Sequence, residues 1–198
     1  MKQHDFLYLA SGSTSRAQLL RDAAIEYRII QQTSTELVSI DPRDFSDYVL
    51  AIARDKMAHI VMPDSSEVAN GASSFFLTAD SLAKTIGSGR ILGKPKDAQD
   101  AHDMLALLYQ EPAEVVTGCV LEKREWKGDA WHLIASKEWV NKTIAHFRVP
   151  SSEVTEYLSK MPMALHACGA AIIEGYGARY LQSLEGSFTG ACGLPIYE

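Results

Sequence analysis

The sequence predicts an α/β fold built on a mixed sheet, and three observations carry that reading. Short apolar runs of strand length alternate with helix-periodic segments in the first half of the chain. Strand-like segments cluster in the second half, which a purely parallel arrangement would not produce. The 198 residues, 46% hydrophobic and 22% charged, suit one domain or two small lobes sharing a core.

Residues 6–10 (FLYLA) read as a short buried strand, followed by a loop of small residues at 11–15. Residues 16–24 have helical spacing, with Leu19, Leu20 and Ala23 on one side, and 25–30 alternate as a second strand. The clearest helix spans 41–62, with Pro42 near its start and Phe45, Val49, Ile52, Ala53 and Ile60 in a stripe. A polar connection at 64–74 leads to a buried strand at 75–79 (FFLTA), which ends at Asp80. Two glycines make 85–90 a turn. Residues 97–108 form a second helix with Ala101, Met104, Leu105 and Leu108 inward, and 114–122 and 131–149 are strands. A capping pattern at Ser151 opens a helix that closes near Lys160, before Pro162. Residues 170–173 and 178–184 are strand-like, and 186–193 are glycine-rich.

Composition narrows the function. The net charge of -6 gives no general basic field for a nucleic-acid backbone, and no basic stripe with interleaved aromatics occurs. Cys119, Cys168 and Cys192 are widely spaced with no CxxC pair, so they read as reduced thiols rather than a zinc knuckle. No apolar run approaches the ~20 residues of a membrane span, and the run at 6–10 is too short for a signal peptide. The expectation is a cytoplasmic protein that binds neither membrane nor nucleic acid.

Several residues can carry chemistry, each beside a plainer reading. Ser11-Gly12-Ser13-Thr14-Ser15-Arg16 leads into a helix, where backbone N–H groups and an arginine bind anions. The plainer reading is a serine-rich cap with a solvated arginine. The spacing is not that of a Walker A loop. Asp80, just past a hydrophobic strand, stands where α/β active sites lie, and its carboxylate can hold a divalent metal or act on water. A turn aspartate is the alternative. Gly93-Lys94-Pro95 presents an ammonium on a rigid loop, within reach of a phosphate or of solvent alone. Glu36 and Lys56 are surface charges by default; together they supply a second carboxylate and a second cation. His166 and Cys168 lie in apolar surroundings and read as packed side chains rather than as a triad with Glu174.

Order and spacing add what single residues lack. Residues 9–20 (LASGSTSRAQLL) resemble the opening signature of the Maf family of nucleotide pyrophosphatases. Thr35-Glu36 resembles the acidic loop that follows, 53–56 (ARDK) the helix with the functional lysine, and 78–81 (TADS) the central acidic motif. Residues 91–97 (ILGKPKD), Val116-Thr117-Gly118, 169–177 and 186–195 look like the remaining blocks. The resemblance covers nearly the whole chain as a single domain, 1–198. It implies a Maf/ITPase-like α/β fold, with an elongated mixed sheet, two lobes and a cleft between them. It implies hydrolysis of a nucleoside triphosphate to a monophosphate and pyrophosphate with magnesium or manganese. It also implies that a homodimer is common among such proteins. By position, Asp80 is then the proton acceptor and Glu36 its partner at the metal. Lys56, Lys94 and Arg16 bind phosphates, with Ser11 and Ser13 lining the loop.

Departures bear on the base. Ser15 stands where many members have a second arginine, Ser81 where a threonine is common, and Glu174 where the branch acting on dTTP and UTP carries glutamine. Leu165-His166-Ala167-Cys168-Gly169 and Glu174-Gly175-Tyr176-Gly177 are closer to the 7-methyl-GTP branch. A carboxylate accepts only, so it matches the two adjacent donors of guanine. The expected substrate is therefore 7-methyl-GTP or a related purine nucleotide. A dTTP/UTP enzyme, an ITP-type house-cleaning pyrophosphatase and a non-catalytic nucleotide-binding regulator remain alternatives.

Overall fold

The computed structural model describes residues 6–35, 44–63 and 71–198. The described strands form one seven-stranded mixed sheet in the order β2-β1-β3-β5-β6-β7, with β4 paired to β3. The strands are β1 (Phe6–Leu9), β2 (Tyr27–Ile29), β3 (Ser73–Thr85), β4 (Ile91–Leu92), β5 (Ala113–Lys127), β6 (Ala130–Phe147) and β7 (Leu181–Glu185). The helices are α1 (Thr14–Asp22), α2 (Phe45–Ala58), α3 (Ala98–Gln110), α4 (Val154–Lys160) and α5 (Phe188–Ala191). Strand β1 is parallel to both β2 and β3, whereas β3–β4 and β6–β7 are antiparallel. The mixed α/β expectation holds.

The chain divides into two compact units. The first takes residues 1–80, 118–140 and 196–198. Its core joins Tyr8, Leu50, Ala53, Met57, Phe76 and Val120, and the Tyr8 and Phe76 rings stack at 5.2 Å. Helix α2 lies close on β5 at Gly118, where a Cβ would stand 2.8 Å from Leu50 Cα. Glycine is required there by contact with backbone, which cannot step aside as a side chain can.

The second unit takes residues 81–117 and 141–195. Its main core gathers Ala101, Leu105, Phe147, Val149, Val154, Tyr157, Ala164, Ala170, Ile173 and Tyr180. Tyr157 is fully buried, and its hydroxyl donates to Ala170 O at 3.0 Å and accepts from Ile172 N at 2.9 Å. Those two bonds satisfy backbone groups that no α-helix or strand ladder reaches.

Three local expectations need correction, and the glycine-rich stretch gains an assignment. Strand β3 does not stop at Asp80 but runs through it to Thr85, because β5 and β4 supply further pairing. Residues 170–173 are not a strand; 3₁₀ turns at Cys168–Ala170 and Gly175–Tyr180 replace it, and Gly169 adopts φ 64. Helix α4 starts at Val154 after Glu153 with no side-chain cap, so the Ser151 capping pattern is unused. The glycine-rich stretch holds the short helix α5, capped by Ser187. Pro42 lies outside the described residues.

Candidate functional site

In the first unit the site begins where β1 ends. Leu9 is the last residue of β1, paired in register with Leu77 of β3, and Ala10 N donates to Leu77 O at 2.9 Å. The chain then turns through Ser11 to Ser13 into α1. Ser13 caps the helix by accepting from Arg16 N at 3.4 Å, and its own N–H donates to Ser11 Oγ at 3.2 Å. Arg16 Nη1 donates to the same Ser11 Oγ at 3.2 Å. Ser11 and Arg16 are both buried. The solvated-arginine reading therefore fails. A guanidinium held beside a helix N-terminus, with no acidic residue in the first turn, is an environment that favours an anion.

Asp80 stands three residues beyond Leu77, on the part of β3 that β1 does not cover. Its Oδ1 accepts from Lys56 Nζ at 2.6 Å, with side-chain exposures of 11% and 8%. Two residues earlier Thr78 Oγ1 donates to Ala53 O at 2.8 Å, one turn of α2 before Lys56. Thr78 and Asp80 share one face of the strand, so the same helix receives both. Neither charge of a buried pair can lose its partner cheaply. Lys56 is thus fixed to the carboxylate, an orientation its place on a long helix did not disclose.

Glu36 lies outside the described residues. The chain leading to it is tied to α2. Thr33 N donates to His59 O at 3.0 Å, Gln32 forms a bridge with Ile60, and the Ser34 hydroxyl donates to the Asp55 carboxylate. Ser15 sits half-buried on α1.

The second unit holds the other expected residues. Ser81 Oγ is 2.7 Å from Thr117 Oγ1, and Thr117 Oγ1 donates to Gly190 O at 2.8 Å. Lys94 is exposed on a loop whose base is pinned: Gly169 N donates to Gly93 O at 2.9 Å and Cys168 Sγ donates to Leu92 O at 2.9 Å. Cys168 is a packed thiol, and His166 is exposed. Glu174 is half-buried and within hydrogen-bond reach of Cys192, whose thiol is pushed well up by burial and then by that carboxylate.

Ser11, Ser13 and Arg16 thus form one cluster just past the end of β1, and Lys56 of α2 with Asp80 inside β3 forms another. Thr78 and Thr117 were not singled out as functional. The available signal was a hydroxyl at a fully buried position of an apolar strand. Among the described residues, no group of three or more His, Cys, Asp or Glu is arranged to hold a metal.

A family model described as Maf-like protein matches residues 6–198. A dTTP/UTP pyrophosphatase of Citrifermentans bemidjiense is 34% identical over 192 residues, covering 97% of this chain and 91% of that protein. One of Geobacter sp. (strain M21) is 33% identical over the same shares. One of Geotalea uraniireducens is 30% identical over 199 residues, covering 100% of this chain and 93% of its own length. With a family model over residues 6–198 and relatives matched over about nine-tenths of their own length, the chain belongs to the Maf-like protein family.

Proposed function

We propose that this nucleotide pyrophosphatase of the Maf-like family cleaves a nucleoside triphosphate between its α and β phosphates, with Asp80 as the carboxylate that acts on water. The observation that carries the reading is the buried Lys56–Asp80 pair at 2.6 Å, beside the strand end from which the Ser11–Arg16 loop springs. Water attacks the α phosphorus and passes a proton to Asp80. The bond from that phosphorus to the bridging oxygen breaks, and pyrophosphate leaves. Arg16 and the N–H groups opening α1 offset phosphate charge, Ser11 and Ser13 shape that loop, and Lys56 orients the carboxylate. Lys94 and Glu36 are assigned a phosphate contact and a second metal-side carboxylate.

The donor set fits magnesium or manganese. Hard oxygen ligands suit both ions, and magnesium is held through one or two carboxylates plus substrate phosphates rather than a protein-only cage. Asp80 and Glu36 would hold the ion, which supplies charge neutralisation at the phosphates when bound.

For the base, the names of the full-length relatives favour dTTP and UTP. A second reading, 7-methyl-GTP or a related purine, rests on Glu174. A half-buried carboxylate matches adjacent donors and mismatches the single N–H of uracil flanked by acceptors. Ser15 and Ser81 are the other assigned specificity positions. The same reading places the protein in the cytoplasm acting on free nucleotides, with a homodimer to be checked by sedimentation. No described helix is long and apolar enough to cross a membrane.

The test is pyrophosphate release from UTP, dTTP, CTP, GTP, 7-methyl-GTP and ITP with magnesium or manganese, beside Asp80→Asn. Release from UTP and dTTP, lost in the variant, supports the first reading. Preference for 7-methyl-GTP selects the second. Preference for ITP moves the protein to house-cleaning of deaminated purines. Binding without release identifies a regulator.

A further inference from the structure

We propose that Thr78 is a positioning residue: its hydroxyl, bonded to the backbone of α2 at Ala53, sets the register of that helix on β3 and so holds Lys56 against Asp80. This rests on the function proposed above, in which Lys56 orients the Asp80 carboxylate.

Ser74, Phe76, Thr78 and Asp80 alternate along β3, and all four are buried. Phe76 joins Leu50, Ala53 and Met57 of α2 in one apolar core. Apolar contact holds a helix on a sheet but is non-directional, so it does little to choose among small slides and rotations. A hydrogen bond does choose, because it needs a narrow distance and a preferred angle. Thr78 Oγ1 supplies one by donating to Ala53 O at 2.8 Å. A carbonyl has two lone pairs, so a helix residue can accept this bond beside its intrahelical one. Gly118 governs how near α2 comes to the sheet at Leu50, and Thr78 governs where along the strand the helix stops.

The position of that bond matters for the ion pair. Ala53 precedes Lys56 by about 4.5 Å of helix axis, and Thr78 precedes Asp80 by about 6.6 Å of strand. The bond is therefore the nearest polar tie between the two elements to the 2.6 Å contact of Lys56 Nζ with Asp80 Oδ1. A lysine stem in solvent would bend to absorb a shift of its helix. Lys56 is enclosed at 6% exposure, so a shift of its backbone is passed on to the ammonium. Thr78 itself is fully buried, where valine would fill the same space without a polar atom to satisfy.

The test compares Thr78→Val, Thr78→Ser, Lys56→Met and the double variant Thr78→Val with Lys56→Met. Each is read as kcat and KM for UTP by pyrophosphate release, well below its thermal midpoint. Thr78→Val should lower kcat about ten- to hundredfold, as a small misplacement of a reacting group does, with KM little changed. Thr78→Ser should restore kcat. In the Lys56→Met background Thr78→Val should cost nothing further, because the residue acts through Lys56. Thr78→Cys keeps a donor but a weaker one, so it should fall between and stands in if Thr78→Val does not fold. An unchanged kcat in Thr78→Val or Thr78→Cys, an equal loss in the Lys56→Met background, or no rescue by Thr78→Ser overturns the proposal. A second readout needs no turnover. The ¹⁵N spectrum of the lysine ammonium groups should show one slowly exchanging signal, absent in Lys56→Met, lost in Thr78→Val and regained in Thr78→Ser. No such signal in the unaltered protein, or one that Thr78→Val leaves in place, overturns the proposal. Absence of pyrophosphate release from the unaltered protein overturns the pyrophosphatase reading instead, and the ammonium signal still decides this one.

Discussion

Lys56 and Asp80 show what a buried ion pair demands of each member. Together they satisfy one another at 2.6 Å; apart, each is a charge stranded in low dielectric. Lys56→Met should cost about 3–5 kcal/mol of stability. The double variant Lys56→Met with Asp80→Asn should be more stable than Lys56→Met alone, because no unpaired charge remains. Denaturant titration of the variants checks this, and a fully additive result would deny the coupling. In activity, Asp80→Asn should lower kcat by about 10²–10⁴, the range of general-base contributions. Cys119 illustrates a different buried group. Burial pushes its thiol from an ordinary 9.0 to about 12, outweighing the nearby Arg16, which acts the other way. The folded state thus holds the proton more tightly than the unfolded one. This part of the stability is complete below pH 9, and is lost as pH rises from there through about 12. Cys119→Ala should flatten that alkaline decline, measurable as the thermal midpoint against pH.

At the level of elements, legibility followed how local each signal was. Helix α3 was readable because Ala101, Met104, Leu105 and Leu108 recur at helical spacing and all four are buried. Helix α2 kept Phe45, Val49, Ile52 and Ala53 of its stripe, all buried behind the Asp44 cap, but it ends at Ala58, so Ile60 lies beyond it in a bridge with Gln32. Residues 170–173 misled because small and branched residues suggested a strand, whereas Gly169 at φ 64 and the Tyr157 hydroxyl, bonded to Ala170 O and Ile172 N, hold them out of the sheet. A tyrosine thirteen and fifteen positions away from its partners leaves no mark in a local pattern. The candidate site was legible only as residue types, Ser11, Arg16, Lys56 and Asp80 among them. Its pairing was not, because the Lys56–Asp80 contact depends on α2 lying on β3. That packing depends in turn on Gly118. Gly118→Ala forces backbone apart at Leu50, where the added Cβ would be 2.8 Å from Cα. The expected loss is about 1–3 kcal/mol, with reduced activity as Lys56 is displaced. Thermal denaturation alongside turnover tests it; an unchanged midpoint would show that the helix can step back freely.

For the molecule as a whole, the question is how a chain of net charge -6 attracts a polyanion. The mean field opposes the substrate, so affinity must come from cations placed locally, and those placements differ in kind. Arg16 is buried and bonded into the α1 loop at Ser11, so in the proposed role it serves the fold as well as the ligand. Lys94 is exposed on a pinned loop, where its ammonium is screened by salt; in the proposed role it serves a phosphate only when one arrives. Arg16→Gln should therefore lower both stability and substrate affinity. Lys94→Gln should raise KM by about three- to tenfold and leave the thermal midpoint of the free protein unchanged, in line with a surface charge worth under about 1 kcal/mol. Raising salt should erode the advantage of the unaltered protein over Lys94→Gln, because screening removes what the substitution removes. It should leave the gap to Arg16→Gln largely intact, since a buried guanidinium is screened far less. KM measured across ionic strength for the three proteins separates these roles. If both gaps close together with salt, the two cations act alike as surface charge and the buried loop has no special claim on the phosphates.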